Sequence, residues 1–264
     1  MSLDQPDRPQ QEYHPGWLKD FLVALVFLTR LPVHLSFTFS MSAVGSASRC
    51  FPLVGLIVGG VSGAIFLGSH LIGMPIFLAA FLSLSAQILL TGALHEDAIG
   101  DVADGFGGGA DKAKKMNIMR DSRVGTYAVV TLILVLGMKV SALASFKDPY
   151  LAFSVILSSA VVSRGLMVWA MYLLPSARPD GLGASAGKPS LIASLWALAF
   201  TVLIPLVSLN PSLGSIALLA SIAGAFVLSL IAYRQIGGQT GDVLGSVQQI
   251  SELSFLIAMA TVLN

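Results

Sequence analysis

His95-Glu96-Asp97 opens a polar island in a greasy chain, and Asp101 and Asp104 follow before the run Gly105-Phe106-Gly107-Gly108-Gly109. Five of the 14 acidic residues, namely Glu96, Asp97, Asp101, Asp104 and Asp111, fall between positions 96 and 111. On a helix, the i, i+4, i+7 spacing stacks Asp97, Asp101 and Asp104 on one face. Like charges so placed repel unless a hard cation sits among them, so the spacing reads as a magnesium-type site at a membrane edge. The plainer alternative is a solvated acidic helix start, favoured by the macrodipole. Charge is too scarce elsewhere for that alternative to win: Asp, Glu, Lys and Arg make up only 11% of the chain.

Three further segments carry groups suited to phosphate chemistry. Met119-Arg120-Asp121-Ser122-Arg123-Val124-Gly125-Thr126 sets two arginines beside Asp121, and a guanidinium fork matches phosphate oxygens. Anchoring at the head of a membrane span would explain either arginine alone. With the acids, a metal and an arginine clamp on a diphosphate is the better reading. Arg178 precedes Gly181-Leu182-Gly183, and Gly237-Gly238-Gln239-Thr240-Gly241-Asp242 is a glycine-rich loop with a hydroxyl and a carboxylate. Arg164 lies within an apolar stretch, where a charge is costly and faces a cavity or a carboxylate. Lys139 lies nearer a span end and is able to snorkel. His95 could be a ligand or a base, although a single histidine at a helix start is more often structural.

The elements that must position these groups are membrane helices. Hydrophobic residues make up 55% of the 264 positions, and the mean hydropathy is +0.82. Residues 50–94 and 189–233 contain no Asp, Glu, Lys or Arg. Each tract has room for two spans of about 20 residues, with turns at Gly73-Met74-Pro75 and Asn210-Pro211. Further spans fit 124–146 and 151–174. Segment 18–31 is too short to cross, and so is the last stretch from about 253. The expectation is an all-α, polytopic integral membrane bundle of six to eight spans or partial spans. Residues 1–16 read as a disordered polar tail, and 17–264 as one transmembrane catalytic domain. A net charge of +1 gives no sign of nucleic-acid binding. The single cysteine, Cys50, excludes an intramolecular disulfide. Surrounding lipids are partners by composition, and oligomeric state, a homo-oligomer included, stays open.

Threading the chain through these spans puts segments 30–49, 95–123, 175–189 and 234–252 on one side. Nearly all loop lysines and arginines lie there, which makes that side cytoplasmic by the positive-inside rule.

At this point the sequence resembles the cobalamin synthase family, the adenosylcobinamide-GDP ribazoletransferases. The likeness is carried by His95-Glu96-Asp97 with Asp101-Val102-Ala103-Asp104-Gly105, by Ile118 to Thr126, by Arg178 ahead of Gly181-Leu182-Gly183, and by Gly237 to Asp242. Phe27-Leu28-Thr29-Arg30-Leu31-Pro32 and Phe51-Pro52-Leu53-Val54-Gly55 extend it over nearly the whole chain. Ala98 departs from the glycine expected in many members. The resemblance implies a multi-pass enzyme of the bacterial inner membrane that needs Mg²⁺. It joins adenosylcobinamide-GDP to α-ribazole or its 5′-phosphate and releases GMP, giving adenosylcobalamin or its 5′-phosphate. On that reading Asp97, Asp101 and Asp104 bind the metal, with Glu96 as a further ligand or base. Arg120, Arg123 and Arg178 balance the diphosphate, while Asp121, Arg164, Gly238, Thr240 and Asp242 complete the substrate site.

Two rivals differ in class. A CDP-alcohol-type phosphotransferase expects an Ala-Arg pair ahead of its acids, which is missing here. A cation-coupled transporter expects ion-binding acids near the midplane and polar groups on both sides, whereas these motifs cluster on one face.

Overall fold

The computed structural model describes residues 11–178, 181 and 185–263. The fold is helical: α1 (Trp17–Leu28), α2 (Ala43–Ala47), α3 (Phe51–Leu71), α4 (Ile76–Thr91), α5 (Leu94–Gly108) and α6 (Lys112–Ile118). Then come α7 (Thr126–Ala144), α8 (Pro149–Leu173), α9 (Leu191–Ser208), α10 (Pro211–Ile236) and α11 (Gly241–Leu263). Most of the predicted 1–16 tail lies outside the described residues. Its end is not free: Gln11–Glu12 pairs in parallel with Phe37–Thr38, and the Tyr13 hydroxyl donates to Asp20 Oδ1.

Among the described residues, six helices are long and apolar enough to cross a membrane, or up to seven if α4 is counted together with α5. The two uncharged tracts form the expected hairpins, α3–α4 and α9–α10. Gly73 turns the first at φ 79°, and Asn210 turns the second at φ 78° while its side chain caps α10 at Leu213 N. α1, with 12 residues, is about 18 Å long and too short to span. One expectation fails at the C-terminus. Segment 234–252 is not a loop, and the last span is not short, because α11 runs unbroken from Gly241 to Leu263. Gln248, Gln249 and Glu252 lower the apparent hydropathy of this helix, yet all three are buried.

Small residues let the central helices approach closely. A Cβ on Gly55 would stand 2.5 Å from the Ala160 carbonyl oxygen, and one on Gly59 would stand 2.8 Å from Leu157 Cα. Glycines spaced by four thus seat α3 directly on α8, the usual route to tight packing in lipid.

The loops gather at one end of this bundle. Lys115 Nζ donates to Gln235 Oε1, Ser176 bridges Gln239, and Gly45 abuts the Ala186 carbonyl. Segments 95–123 and 175–178 and the head of 234–252 therefore share one face, as the parity of spans requires. At that face α4 gives way to α5 through an 88° bend. Gly92 and Ala93 make the bend in the left-handed region, at φ 64° and 58°. The alanine does so at a cost of about 1–2 kcal/mol. α4 thus serves as the return span, and α5 turns away from it across the loop end.

Between α4, α5, α7, α8 and α11 lies a buried polar network. Lys139 Nζ on α7 donates to Glu252 Oε2 and Gln249 Oε1 on α11, each at 2.7 Å. Gln87 Nε2 on α4 donates to Glu252 Oε1 at 2.6 Å, and Gln248 Nε2 to Glu252 Oε2 at 3.0 Å. Gln249 Nε2 reaches Glu96 Oε1 on α5 at 2.9 Å. Lys139 does not snorkel; its side chain is fully enclosed because a carboxylate waits for it inside the bundle. Lys139→Met should therefore strand the Glu252 charge and destabilise the protein by roughly 3–5 kcal/mol. Lys139→Met with Glu252→Gln should recover much of that loss, as read from unfolding transitions in detergent. Equal stability of the single variant and the wild type would refute the pairing.

Candidate active site

α5 sorts its acids onto different faces. Asp97 is exposed and Asp101 half-buried on the side turned toward the loops, whereas Glu96 is buried. Successive residues on a helix point about 100° apart, so Glu96 cannot share the face of Asp97. Its Oε1 is held by Gln249 and its Oε2 is buried without a hydrogen-bond partner. Glu96 thus belongs to the buried network and not to the acidic face.

Asp104 is also committed elsewhere. Its carboxylate accepts from Gly125 N at 2.6 Å and Ala128 N at 3.0 Å. These amides lie at the start of α7, so α5 caps α7 and places a negative charge at the positive end of its dipole. A Cβ on Gly125 would lie 2.5 Å from the Asp104 carboxylate, which explains the glycine.

A different acid joins the face instead. Asp242, in the first turn of α11, lines the same cavity as Asp97, a space of about 150 Å³ between α1, α3, α5, α8 and α11. α11 reaches this position because Gly245 packs against Ala98, where a Cβ would come within 2.5 Å. Ser246 Oγ also donates to the Ala98 carbonyl at 3.1 Å. Burial, with the charges of Asp97, Asp242 and Asp104, pushes the Asp101 carboxyl up to about 7. Such crowding is what a bound cation relieves. Among the described residues, no three His, Cys, Asp or Glu side chains stand close enough together to hold a metal ion as they are placed.

The glycine loop is built against the 175–178 segment. Gln239 N donates to the Pro175 carbonyl at 2.8 Å, and Ala177 N to the Gln239 carbonyl at 2.9 Å. A Cβ on Gly238 would stand 2.1 Å from the Pro175 oxygen, so only glycine allows this approach. Arg178 Nη2 pairs with Asp242 Oδ2 at 3.1 Å. Thr240 Oγ1 donates to that same oxygen at 3.2 Å and accepts from Val243 N, capping α11. Residues 179, 180 and 182–184 of the 175–189 segment lie outside the described residues.

The other predicted residues are more scattered. Arg123 pairs with Asp121 at 2.6 Å, and its side chain is 88% exposed, away from the cavity. Arg120 is exposed on the turn after α6. Arg164 points into the bundle as expected and is fully buried, with Nη1 donating to the Ala160 carbonyl at 3.0 Å. Its Nε and Nη2 have no hydrogen-bond partner.

Sequence reasoning placed Asp242 with the substrate groups and not with the acids, and it passed over His95 as a site residue. His95 lines the cavity, is 2% exposed, and carries a buried Nε2 without a partner. The available signal was adjacency, since His95 begins the acidic motif. Gln248, Gln249 and Glu252 also went unread, although their i, i+1, i+4 spacing places them close together on α11.

The profile of the family described as cobalamin-5-phosphate synthase matches residues 20–260. An adenosylcobinamide-GDP ribazoletransferase of Bradyrhizobium diazoefficiens is 40% identical over 243 residues, covering 92% of this chain and 94% of that protein. One from a Sinorhizobium species is 42% identical over 250 residues, with 91% and 95% covered. No solved structure matches the chain.

The raised Asp101 carboxyl has a consequence for stability without metal. A carboxyl whose folded pKa exceeds its unfolded value binds more protons in the folded state, so stability falls as pH rises between the two. With a shift from 3.8 to about 7, the wild type in EDTA should lose thermal stability between roughly pH 4 and 7. Asp101→Asn should remove most of that slope; thermal melts across this range check it, and an unchanged slope would contradict the crowding.

Proposed function

Because the chain belongs to the cobalamin-5-phosphate synthase family, we propose that it is an adenosylcobinamide-GDP ribazoletransferase whose reacting groups meet at Asp97, Asp101 and Asp242. The acceptor is α-ribazole or its 5′-phosphate. A ribose hydroxyl of the acceptor forms a bond to the cobinamide-linked phosphorus, the phosphoanhydride bond breaks, and GMP leaves. The hydroxyl proton is lost in the same exchange. Such a transfer needs positioning and charge neutralisation rather than a covalent enzyme intermediate.

The observation that carries this reading is the convergence of Asp97 and Asp242 on one cavity, with the Asp101 carboxyl raised by burial and by the charges of Asp97, Asp242 and Asp104. Carboxylate oxygens are the donor set that magnesium prefers, and Asp97, Asp101 and Asp242 would hold the ion. Bound there, magnesium would neutralise the diphosphate and polarise the phosphorus under attack. Asp97 reaches the site from the first turn of α5, and Asp242 from the first turn of α11. The Arg178 partner of Asp242 stands ready to share its charge with phosphate oxygens. Gly238 and Thr240 shape and cap the loop that holds Asp242.

The loop end of the bundle, with its lysines and arginines, faces the cytoplasm of a bacterial inner membrane on this reading. Transport finds no support in the buried acid. Both oxygens of Glu252 already accept from Gln87, Lys139 and Gln248, and the Lys139 ammonium offsets its charge, as in a structural ion pair.

Purified protein given adenosylcobinamide-GDP, α-ribazole and Mg²⁺ should release GMP. Asp97→Asn, Asp101→Asn and Asp242→Asn should each lower that release by about a hundredfold or more, the scale for losing transition-state charge stabilisation. Thermal stability and membrane insertion should persist in all three. Asp111→Asn should be mild, because Asp111 only caps α6 through Lys114 N. No GMP from the wild type, or normal turnover by Asp101→Asn, would defeat the proposal.

A further inference from the structure

The cavity beside Asp97 and Asp242 is mostly apolar, and that polarity selects among the organic groups the reaction brings together. We propose, resting on the transfer reaction assigned above, that this cavity holds the base of the acceptor nucleoside, an uncharged alkylbenzimidazole. The ribose then lies at the carboxylate end.

Three organic moieties compete for the space. The corrinoid is a macrocycle fringed with amides and is far too large for about 150 Å³. Guanine is small enough, but its ring N–H, exocyclic amine and carbonyl all need partners. The walls offer Phe27 and Leu28 of α1, Phe51 of α3, and Met167 and Met171 of α8. None of these apolar side chains can satisfy a guanine edge, and Asp97 and Asp242, which line the cavity too and could accept from its N–H groups, are the carboxylates assigned above to the metal; unpaired polar groups are costly once desolvated. An alkylbenzimidazole has no N–H donor when joined to ribose and presents a flat apolar ring with methyl groups. Aromatic and thioether side chains suit such a ring, methionine adapting to its outline.

Its one free ring nitrogen is an acceptor, and the cavity has one matching group. His95 lines it and is buried, and its Nε2 lacks a hydrogen-bond partner. Turned toward the cavity, a neutral imidazole donates from that nitrogen and holds the base in one orientation. Asp97 and Asp242 line the same space, so a ribose leaving the base toward them brings its hydroxyl to the carboxylates that would hold the metal. This gives α1 a purpose: too short to span, it walls the cavity.

The test is equilibrium dialysis of the full-length protein in nanodiscs against α-ribazole, with guanosine as comparison ligand and neither corrinoid nor metal present. Ala186→Phe fills the cavity from its rim, where Ala186 is 3% exposed. Folded Ala186→Phe, identified by its thermal transition, should bind α-ribazole at least tenfold more weakly than the wild type. Guanosine should not displace α-ribazole from either protein. Saturation-transfer NMR on the wild type reads the same point without a variant: the methyl protons of the base should receive the strongest transfer. Unchanged binding by Ala186→Phe, displacement by guanosine, or strongest transfer to the ribose would overturn the assignment. No turnover enters these measurements. A protein that released no GMP would undo the reaction assigned above while this binding result stood separately.

Discussion

Charge enclosed among membrane helices has to be paired, and the geometry of the loop end follows from how this chain meets that requirement. Lys139 and Glu252 face each other on α7 and α11, and both side chains are enclosed by the surrounding helices. Gln87 and Gln248 also donate to the Glu252 carboxylate, while Gln249 accepts from Lys139 and donates to Glu96, which extends the network to α5. Replacing one member would leave the others unsatisfied in a low-dielectric interior, so the arrangement is specific in a way that apolar packing alone is not.

The network has a directional effect on α5. Glu96 is drawn inward toward Gln249, which turns Asp97 and Asp101 outward to the loop face. Asp104, two turns along, draws α7 to the other end of the helix by capping it. With both ends tied, α5 lies across the bundle after its 88° bend instead of continuing α4. α11 contributes twice, supplying Glu252 to the network and Asp242 to the acidic face. One helix therefore links the buried charges to the proposed chemistry.

Much of this was legible in the sequence. The uncharged tracts gave the hairpins, and the acidic spacing gave a helix with Asp97 and Asp101 on one face. The cap that Asp104 gives α7 is not legible, because Gly125 and Ala128 lie far along the chain and no local pattern reveals a cap supplied from a distance. The one-residue offset of Glu96 from Asp97 does show that the two carboxylates leave α5 on different faces. α11 was cut short because hydropathy counts Gln248, Gln249 and Glu252 as exposed, whereas their cost is removed by partners on α4, α5, α7 and α8. For Lys139 the sequence leaves snorkelling open for the same reason: only the packed structure places a carboxylate within its reach.

The proposed metal centre takes Asp97, Asp101 and Asp242 as its ligands, and not Asp104 or Glu96. The most direct measurement is Mn²⁺ binding to the purified protein, followed by EPR as a stand-in for Mg²⁺. Asp242→Asn and Asp101→Asn should abolish the bound signal, while Asp104→Asn and Glu96→Gln should retain it. Loss of the signal in Asp104→Asn with retention in Asp242→Asn would contradict this ligand set.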